Sequence, residues 1–369
     1  MRIAILITTL SRGGAERAAT AIANGLALMG DTIKIFKFDS SVPGYSLGDE
    51  VKYVNIVPPK KSCSIVRIIK RMSLLKSSIQ EYSPDVVLCF SFKTAVYPLI
   101  MLRKRQFSVV ASERSNPFYE FETKSIANKA IWRWINKHVA PTADGFVFLT
   151  QDGIDFYGDK VRKKSTVIPN ALFAEDIPKE ITAFEDRDFL KICATANPRK
   201  VKDYETMLHA FAIFHSNHPL HQLYILGDGE ERLHLEELTS ALGLGKCIHF
   251  LGNVERPVDF IKDAGMYLST SRSESWGNGI MEALACGIPC ICTDCDFGPR
   301  EMITSDENGI LVRVGDVEAI SRAMDKVSTD RVFAMKLSNN AQDIRKRFER
   351  KRIAILYHNY LLSTTTKCL

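Results

Sequence analysis

From Ser271 to Glu301 the chain reads S-R-S-E-S-W-G-N-G-I-M-E-A-L-A-C-G-I-P-C-I-C-T-D-C-D-F-G-P-R-E, with Glu274 and Glu282 eight positions apart. Small polar residues follow the apolar run Met266 to Leu268, a helical pattern covers Ile280 to Ala285, and a second apolar run spans Ile288 to Cys292. The spacing predicts strand, loop, helix, strand. Gly277 and Gly279 let the backbone approach a ligand at the helix start, where Asn278 and Ile280 complete the first turn. Unpaired N–H groups and the positive end of the helix dipole favour a phosphate there. Carboxylates accept hydrogen bonds from vicinal hydroxyls, so two acids flanking that cradle fit a diphosphate with a sugar at each end. This describes a nucleotide sugar. The competing reading is an ordinary strand-to-helix turn carrying two solvated acids.

The elements that must hold this loop alternate along the whole chain. Apolar runs Ile3 to Ile7, Ile33 to Phe38, Val86 to Phe90, Val109 to Ala111 and Gly145 to Leu149 are separated by helical patterns. Such alternation marks a parallel sheet covered by helices. A second series follows at Leu190 to Ala194, Leu223 to Leu226, Ile248 to Leu251, Met266 to Leu268 and Ile288 to Cys292. At 369 residues and 46 % hydrophobic content, the chain is too long for one ordinary core and divides into two α/β domains.

The net charge of +6 suits an anionic partner such as a diphosphate or lipid headgroup. With no RNA-binding or zinc-finger pattern, no nucleic-acid partner is expected. The nine cysteines are scattered, and Cys89, Cys193 and Cys290 fall inside apolar runs, which fits buried thiols in a reducing compartment. The apolar start from Met1 to Ile7 is too short for a signal peptide, and Val86 to Leu102 contains Lys93 and Pro98, so it divides into strand and helix. A cytoplasmic protein is expected, with no cofactor.

In the first half, Gly13-Gly14 opens a helix after the first strand but is not G-x-G-x-x-G, which disfavours a dinucleotide. Glu113 and Arg114 follow a strand, where open α/β sheets bind ligands. Lys60 to Tyr82 is amphipathic, with Ile65, Ile68, Ile69, Met72, Leu75 and Ile79 apolar and Arg67, Lys70, Arg71 and Lys76 polar. Lys124 to His138 adds Lys129, Trp132, Arg133, Trp134 and Lys137. Each fits either an anionic membrane surface or lipid diphosphate, or a helix packed on the sheet with its cations in water.

At Glu274, Glu282 and the following A-L-A-C-G-I-P, the chain resembles the retaining glycosyltransferases of family 4, whose signature is Glu-x7-Glu. The tail Phe297-Gly298-Pro299-Arg300-Glu301 looks like the subgroup that builds bacterial surface polysaccharides and lipid-linked oligosaccharides. The resemblance implies the GT-B fold, two Rossmann-like domains facing a cleft. On that pattern residues 1–172 form the acceptor-binding domain, 173–348 the nucleotide-sugar-binding domain and 349–369 a helix returning to the first. Val167 to Asn170 is then the interdomain entry and Glu175 to Asp188 a linker. The last helical run is expected from Ala341 to Leu362.

The resemblance also implies roles. Gly13 and Gly14 would face the transferred sugar and acceptor, Gly252 and Asn253 the base, and Gly227 to Gly229 an architectural turn. Lys202 fits the family lysine, while the arginine expected at Asn197 is missing and Arg199 stands in nearby. Cations at these points stabilise the diphosphate charge that builds in the transition state. Arg114 replaces the family histidine and can hold an acceptor phosphate. The family needs no metal at Asp294-Cys295-Asp296, and the single C-x2-C of Cys292 and Cys295 lacks the second pair of a zinc site.

The expected activity is transfer of a hexose or N-acetylhexosamine, with retention and without metal, from a UDP-linked donor to a polyprenyl-diphosphate-linked saccharide. That places the enzyme peripherally on the inner face of the cytoplasmic membrane. The rival readings are a GT-B epimerase or phosphorylase-like enzyme and a non-catalytic nucleotide-sugar-binding scaffold at the membrane.

Overall fold

The computed structural model describes all residues except 59–63, 102–104, 123, 174–176, 179 and 366–369, and omits the side chains of 64, 65 and 120. The expected helix opening at Lys60 and linker opening at Glu175 therefore lie outside the described residues. The chain divides into two compact units, Met1–Ala171 with Arg350–Leu369, and Leu172–Glu349.

The first unit is built on a parallel sheet of seven strands: β1 (Arg2–Ile7), β2 (Thr32–Lys37), β3 (Lys52–Asn55), β4 (Val86–Phe90), β5 (Ser108–Ser112), β6 (Gly145–Phe148) and β7 (Ser165–Val167). Their order is β3-β2-β1-β4-β5-β6-β7, with Ile5 opposite Ile35 on one side and Leu88 on the other. Strands β4 and β5 are buried throughout, as continuous apolar runs in a covered parallel sheet must be. The short, polar edge strands β3 and β7 went unrecognised in the sequence, because an edge strand need not be apolar on both faces.

The second unit carries six parallel strands: β8 (Asp188–Thr195), β9 (Gln222–Leu226), β10 (Ile248–Gly252), β11 (Ala264–Ser269), β12 (Cys290–Thr293) and β13 (Ile310–Val312). Their order is β10-β9-β8-β11-β12-β13, so the winding reverses between β8 and β11. Ligands of open α/β sheets bind outside the carboxyl ends of the strands at such a reversal. In the first unit the reversal lies between β1 and β4.

The Ala341 to Leu362 run is not one helix. The structure has Arg331–Ala341, Ile344–Arg347 and Arg350–Thr365, with Leu172 and Glu349 bridged between the last two. Only Arg350–Thr365 joins the first unit. It packs on the helix Gly14–Leu28, where a Cβ on Gly25 would lie 2.7 Å from that of Ala354. Ser108 Oγ donates to the Thr364 carbonyl at 2.9 Å, and His358 Nδ1 lies 2.7 Å from Asp31. Val86 to Leu102 resolves into β4 and the helix Phe92–Met101, Leu102 itself being outside the described residues. Among the described residues no helix is long and apolar enough to cross a membrane.

Candidate active site

At the carboxyl ends of β8 and β11 lies a pocket with about 380 Å³ of empty space, counted to its open mouth. The loop after β8 brings Lys202; the loop after β11 brings Ser271 and Glu274; the start of the helix Asn278–Ala285 closes it. Three contacts join the first two loops. Thr270 Oγ1 donates to the carbonyls of Lys202 and Asp203 at 3.1 and 2.9 Å, and Arg272 N donates to the Val201 carbonyl at 2.8 Å. Arg272 Nε also pairs with Asp203 Oδ2 at 3.0 Å. Tyr204 Oη donates to the Ala196 carbonyl at 2.8 Å, bracing the β8 loop from within.

This bracing brings Lys202 Nζ to 2.6 Å from Glu274 Oε1, which also accepts from Ser271 Oγ at 2.8 Å. Both partners of the ion pair are mostly covered, Lys202 21 % and Glu274 11 % exposed. Glu274 Oε2 makes no hydrogen bond among the described residues. One oxygen is thus held and the other is open to a ligand.

Gly277 precedes the helix in the left-handed region (φ 90°), and no side chain caps the helix. Gly277, Asn278, Gly279 and Ile280 all line the pocket. Gly279 is constrained from the other side. A Cβ there would lie 2.4 Å from Thr195 Oγ1 and 2.5 Å from Tyr267 Oη, so the missing side chain lets the helix sit against β8 and β11.

Other expected residues stand elsewhere. Glu282 lies one turn beyond Asn278 and is 6 % exposed, off the pocket wall. Arg199 is exposed; its carbonyl accepts from Lys202 N at 2.8 Å, while its side chain makes no hydrogen bond or ion pair among the described residues. Gly252 and Asn253 end β10, two strands from β8; Gly252 is buried and its carbonyl accepts from Gly227 N at 2.7 Å, while Asn253 is exposed. Thr195, Tyr267, Thr270 and Ser271 also line the pocket or brace its loops. The only sequence signal for them was their place at strand ends. Burial pushes the hydroxyl pKa of Tyr267 up, and Thr195 binds it at 2.8 Å, so it stays a neutral hydrogen-bonding group.

Asp294 pairs with Arg300 at 3.0 Å, and the Asp296 carbonyl accepts from Glu274 N at 3.5 Å. Cys286, Cys290, Cys292 and Cys295 are all buried, which pushes their thiols up, Cys286 and Cys295 to about 12. Among the described residues no cluster of three or more His, Cys, Asp or Glu can hold a metal ion.

In the first unit, Gly13 is extended and Gly14 begins the helix Gly14–Leu28. The Glu16 carboxylate folds back against Gly13, where burial and then Asp39 raise its pKa. Acids so placed disfavour a phosphate at this turn and suit hydroxyls. Asp39 itself is held by Thr9, Ser41 and the buried Lys37. Glu113 is buried at the end of β5, its Oε1 accepting from Ser115 Oγ at 2.8 Å.

Arg114 departs from the expected phosphate-binding role. Its guanidinium is buried over the Phe90 ring at 5.0 Å, Nη1 donates to Asn170 Oδ1 at 2.8 Å and Nη2 to the Tyr357 hydroxyl. Burial pushes its pKa down, an effect partly offset by Tyr357. The side chain anchors the C-terminal helix to β4 and β5.

Of the cations on the two amphipathic helices, Arg67 and Lys70 on Ser64–Tyr82 are exposed, whereas Arg71 lies 5.7 Å over the Phe38 ring and faces the body of the unit. Leu75 and Ile79 enter the core, but Ile68 and Ile69 remain exposed. On Ile126–His138, Lys129 and Arg133 both lie against Phe121, and Ile126, Ile131 and Trp134 are exposed.

Residues 12–174 match the family described as Glycosyltransferase Family 4, and residues 175–344 match Glycosyl transferases group 1. The chain is 25 % identical over 355 residues, 95 % of each chain, to the GalNAc-alpha-(1->4)-GalNAc-alpha-(1->3)-diNAcBac-PP-undecaprenol alpha-1,4-N-acetyl-D-galactosaminyltransferase of Campylobacter jejuni. Its fold matches sucrose-phosphate synthase from Thermosynechococcus elongatus (TM-score 0.81, 17 % identity, covering 98 % of this chain and 99 % of that one). It also matches Anabaena HepE in complex with UDP (TM-score 0.77, 18 % identity, 98 % and 100 % covered). With two parallel sheets wound this way and family matches over both halves, the chain has the GT-B fold and belongs to the family 4 glycosyltransferases of the bacterial surface-polysaccharide type.

Proposed function

We propose that this glycosyltransferase moves a hexose or N-acetylhexosamine from a UDP-linked donor to a polyprenyl-diphosphate-linked saccharide, retaining anomeric configuration and using no metal. The observation that carries this reading is the Lys202–Glu274 ion pair at an uncapped helix start. A diphosphate entering there meets Lys202 and the first amides of the helix, while Glu274 is left to hold hydroxyls of the transferred sugar. Arg199, exposed three residues before Lys202, supplies a second cation. Glu282 holds the nucleotide ribose, and Gly252 and Asn253 meet the base. UDP bound to the structurally similar Anabaena protein supports a uridine donor. The undecaprenol-diphosphate acceptor in the name of the Campylobacter relative supports a lipid-linked one.

In the reaction, the acceptor hydroxyl attacks the anomeric carbon from the face on which the diphosphate departs. The new C–O bond forms as the bond to the diphosphate breaks, and the hydroxyl proton passes to the leaving diphosphate oxygen. Cations fixed beside that oxygen stabilise it most in the transition state. The first unit binds the acceptor at Gly13, Gly14 and Glu113. Its exposed Ile68, Ile69, Ile131 and Trp134, beside Arg67, Lys70 and Arg133, rest on an anionic membrane on the cytoplasmic side. The test is UDP release from UDP-sugars with and without lipid-linked acceptor, in buffer containing EDTA. Acceptor-dependent release with an α-linked product from an α-linked donor is expected. Release that needs manganese, or none with any lipid acceptor, overturns the metal-free or the transferase reading respectively.

A further inference from the structure

The loop that carries Lys202 turns on the residue after it. Asp203 closes the short turn Lys200–Lys202 and precedes the helix Tyr204–Asn217, and its backbone is left-handed, with φ 49° and ψ 48°. Residues other than glycine enter this region singly, asparagine and aspartate most readily, because a short polar side chain can find a partner close by. From its position before the first turn the Asp203 carboxylate could cap the helix, yet it makes no side-chain cap bond.

That carboxylate is turned to the neighbouring loop instead. The Asp203 side chain is 4 % exposed, and its Oδ2 lies 3.0 Å from Nε of Arg272, which is 61 % exposed. A buried carboxylate is costly unless it is paired, so the ion pair fixes the Asp203 turn against the Arg272 loop. Asp203 stands one residue after Lys202 and Arg272 two residues before Glu274, so this pair flanks the Lys202–Glu274 contact. The Lys202 main chain is held at both of its polar groups. Its carbonyl accepts from Thr270 Oγ1 at 3.1 Å, and its N–H donates to the Arg199 carbonyl at 2.8 Å. The Arg272 loop has a fixed base of its own, since Thr293 Oγ1, at the end of β12, donates to the Ser271 carbonyl at 2.6 Å. A turn anchored in this way can hold a cation still, and a small misplacement of a group that meets the reacting atoms is costly in rate and affinity.

We infer that Asp203 and Arg272 are positioning residues for the transfer reaction, their ion pair setting Lys202 where it meets the donor diphosphate. The inference rests on the reading of Lys202 as the cation for that diphosphate. Titration of the full chain with UDP and with uridine tests it, because uridine lacks the group that Lys202 meets. Arg272→Leu alters a mostly exposed side chain and should leave the circular dichroism unchanged. Its UDP affinity should fall about three- to ten-fold while its uridine affinity stays at the wild-type value. Asp203→Asn, which keeps the volume and suits the left-handed backbone, should shift UDP in the same direction. In a Lys202→Ala background, Arg272→Leu should cost no further UDP affinity, as expected of a residue that acts through Lys202. Wild-type UDP affinity in Arg272→Leu, an equal loss for UDP and uridine, or a loss of the same size with and without Lys202 overturns the positioning role. If Lys202→Ala weakens UDP and Arg272→Leu does not, that role fails and the donor-site reading stands. If Lys202→Ala leaves UDP affinity unchanged, the donor-site reading of Lys202 fails and the positioning role falls with it.

Discussion

Lys202 and Glu274, 72 positions apart, meet at 2.6 Å because β8 and β11, whose loops carry them, are neighbours in the sheet. The pair satisfies both charges before a donor arrives. On the proposed reading, a donor diphosphate draws Lys202 away from Glu274, and the same exchange frees the carboxylate for the sugar.

Lys202→Ala should therefore weaken UDP binding about ten- to a hundred-fold, since hydrogen bonds to charged groups contribute about 1.5–3 kcal/mol. Glu274→Ala should leave UDP affinity unchanged or slightly higher, because Lys202 is released, and should instead lower kcat and discrimination between epimeric donors. Calorimetric titration with UDP and steady-state kinetics separate the two. A loss of UDP affinity in Glu274→Ala as large as in Lys202→Ala would argue against this division of labour.

For Glu282, substitution by Ala should weaken UDP about ten- to a hundred-fold through loss of the proposed ribose contact. Because Glu282 is buried, Glu282→Gln serves as the variant of matched volume, with its melting temperature recorded beside the titration. Wild-type UDP affinity in both variants would remove Glu282 from the donor site.

Reversing Arg67, Lys70, Lys129 and Arg133 to Glu should release the protein from anionic vesicles, each cation contributing about 1 kcal/mol near such a surface. Arg71, packed against Phe38, should instead lower the melting temperature when reversed. Co-sedimentation that ignores both salt and the four reversals would leave these cations as solvated faces.

Gly279→Ala should destabilise the second unit by about 1–3 kcal/mol, because its methyl would press on Thr195 and Tyr267. For a domain of this size, about 2–4 °C of melting temperature per kcal/mol is expected. An unchanged melting temperature would mean that the helix can move off β8 at no cost.

His221 lies in the turn between the helix Tyr204–Asn217 and β9, edge-on to Phe214 at 4.8 Å, with Nε2 3.2 Å from Ser328 Oγ. Burial lowers its pKa; a hydrogen bond with the His218 carbonyl opposes this, His218 and His215 lower it further, and Asp188 raises it. As pH falls below the ordinary histidine value of about 6.5, the unfolded chain takes up a proton that the folded chain does not. Stability present above that pH is therefore lost as pH drops toward the lowered folded value. Urea titrations at pH 5 and 7.5 should show the loss, and His221→Asn should reduce it. An equal slope in the variant would assign the loss to other groups.

Much of this protein was legible along the chain because the relevant physics is local. Strands β4, β11 and β12 carry mostly apolar runs buried nearly throughout, and a strand buried on two faces can be little else. Gly277 to Ile280 read as a ligand-facing helix start for the same reason, since exposed amides and missing side chains are properties of adjacent residues. Partners across the sheet are not. That Lys202 would be held by Glu274 depends on β8 and β11 being neighbours, and that Arg114 would be buried against Tyr357 depends on where the last helix docks. Strand order and docking are chosen by burial summed over a whole unit. No single segment records that sum, so a cation destined for an aromatic ring, as with Arg71 on Phe38, has the same local sequence as one destined for solvent.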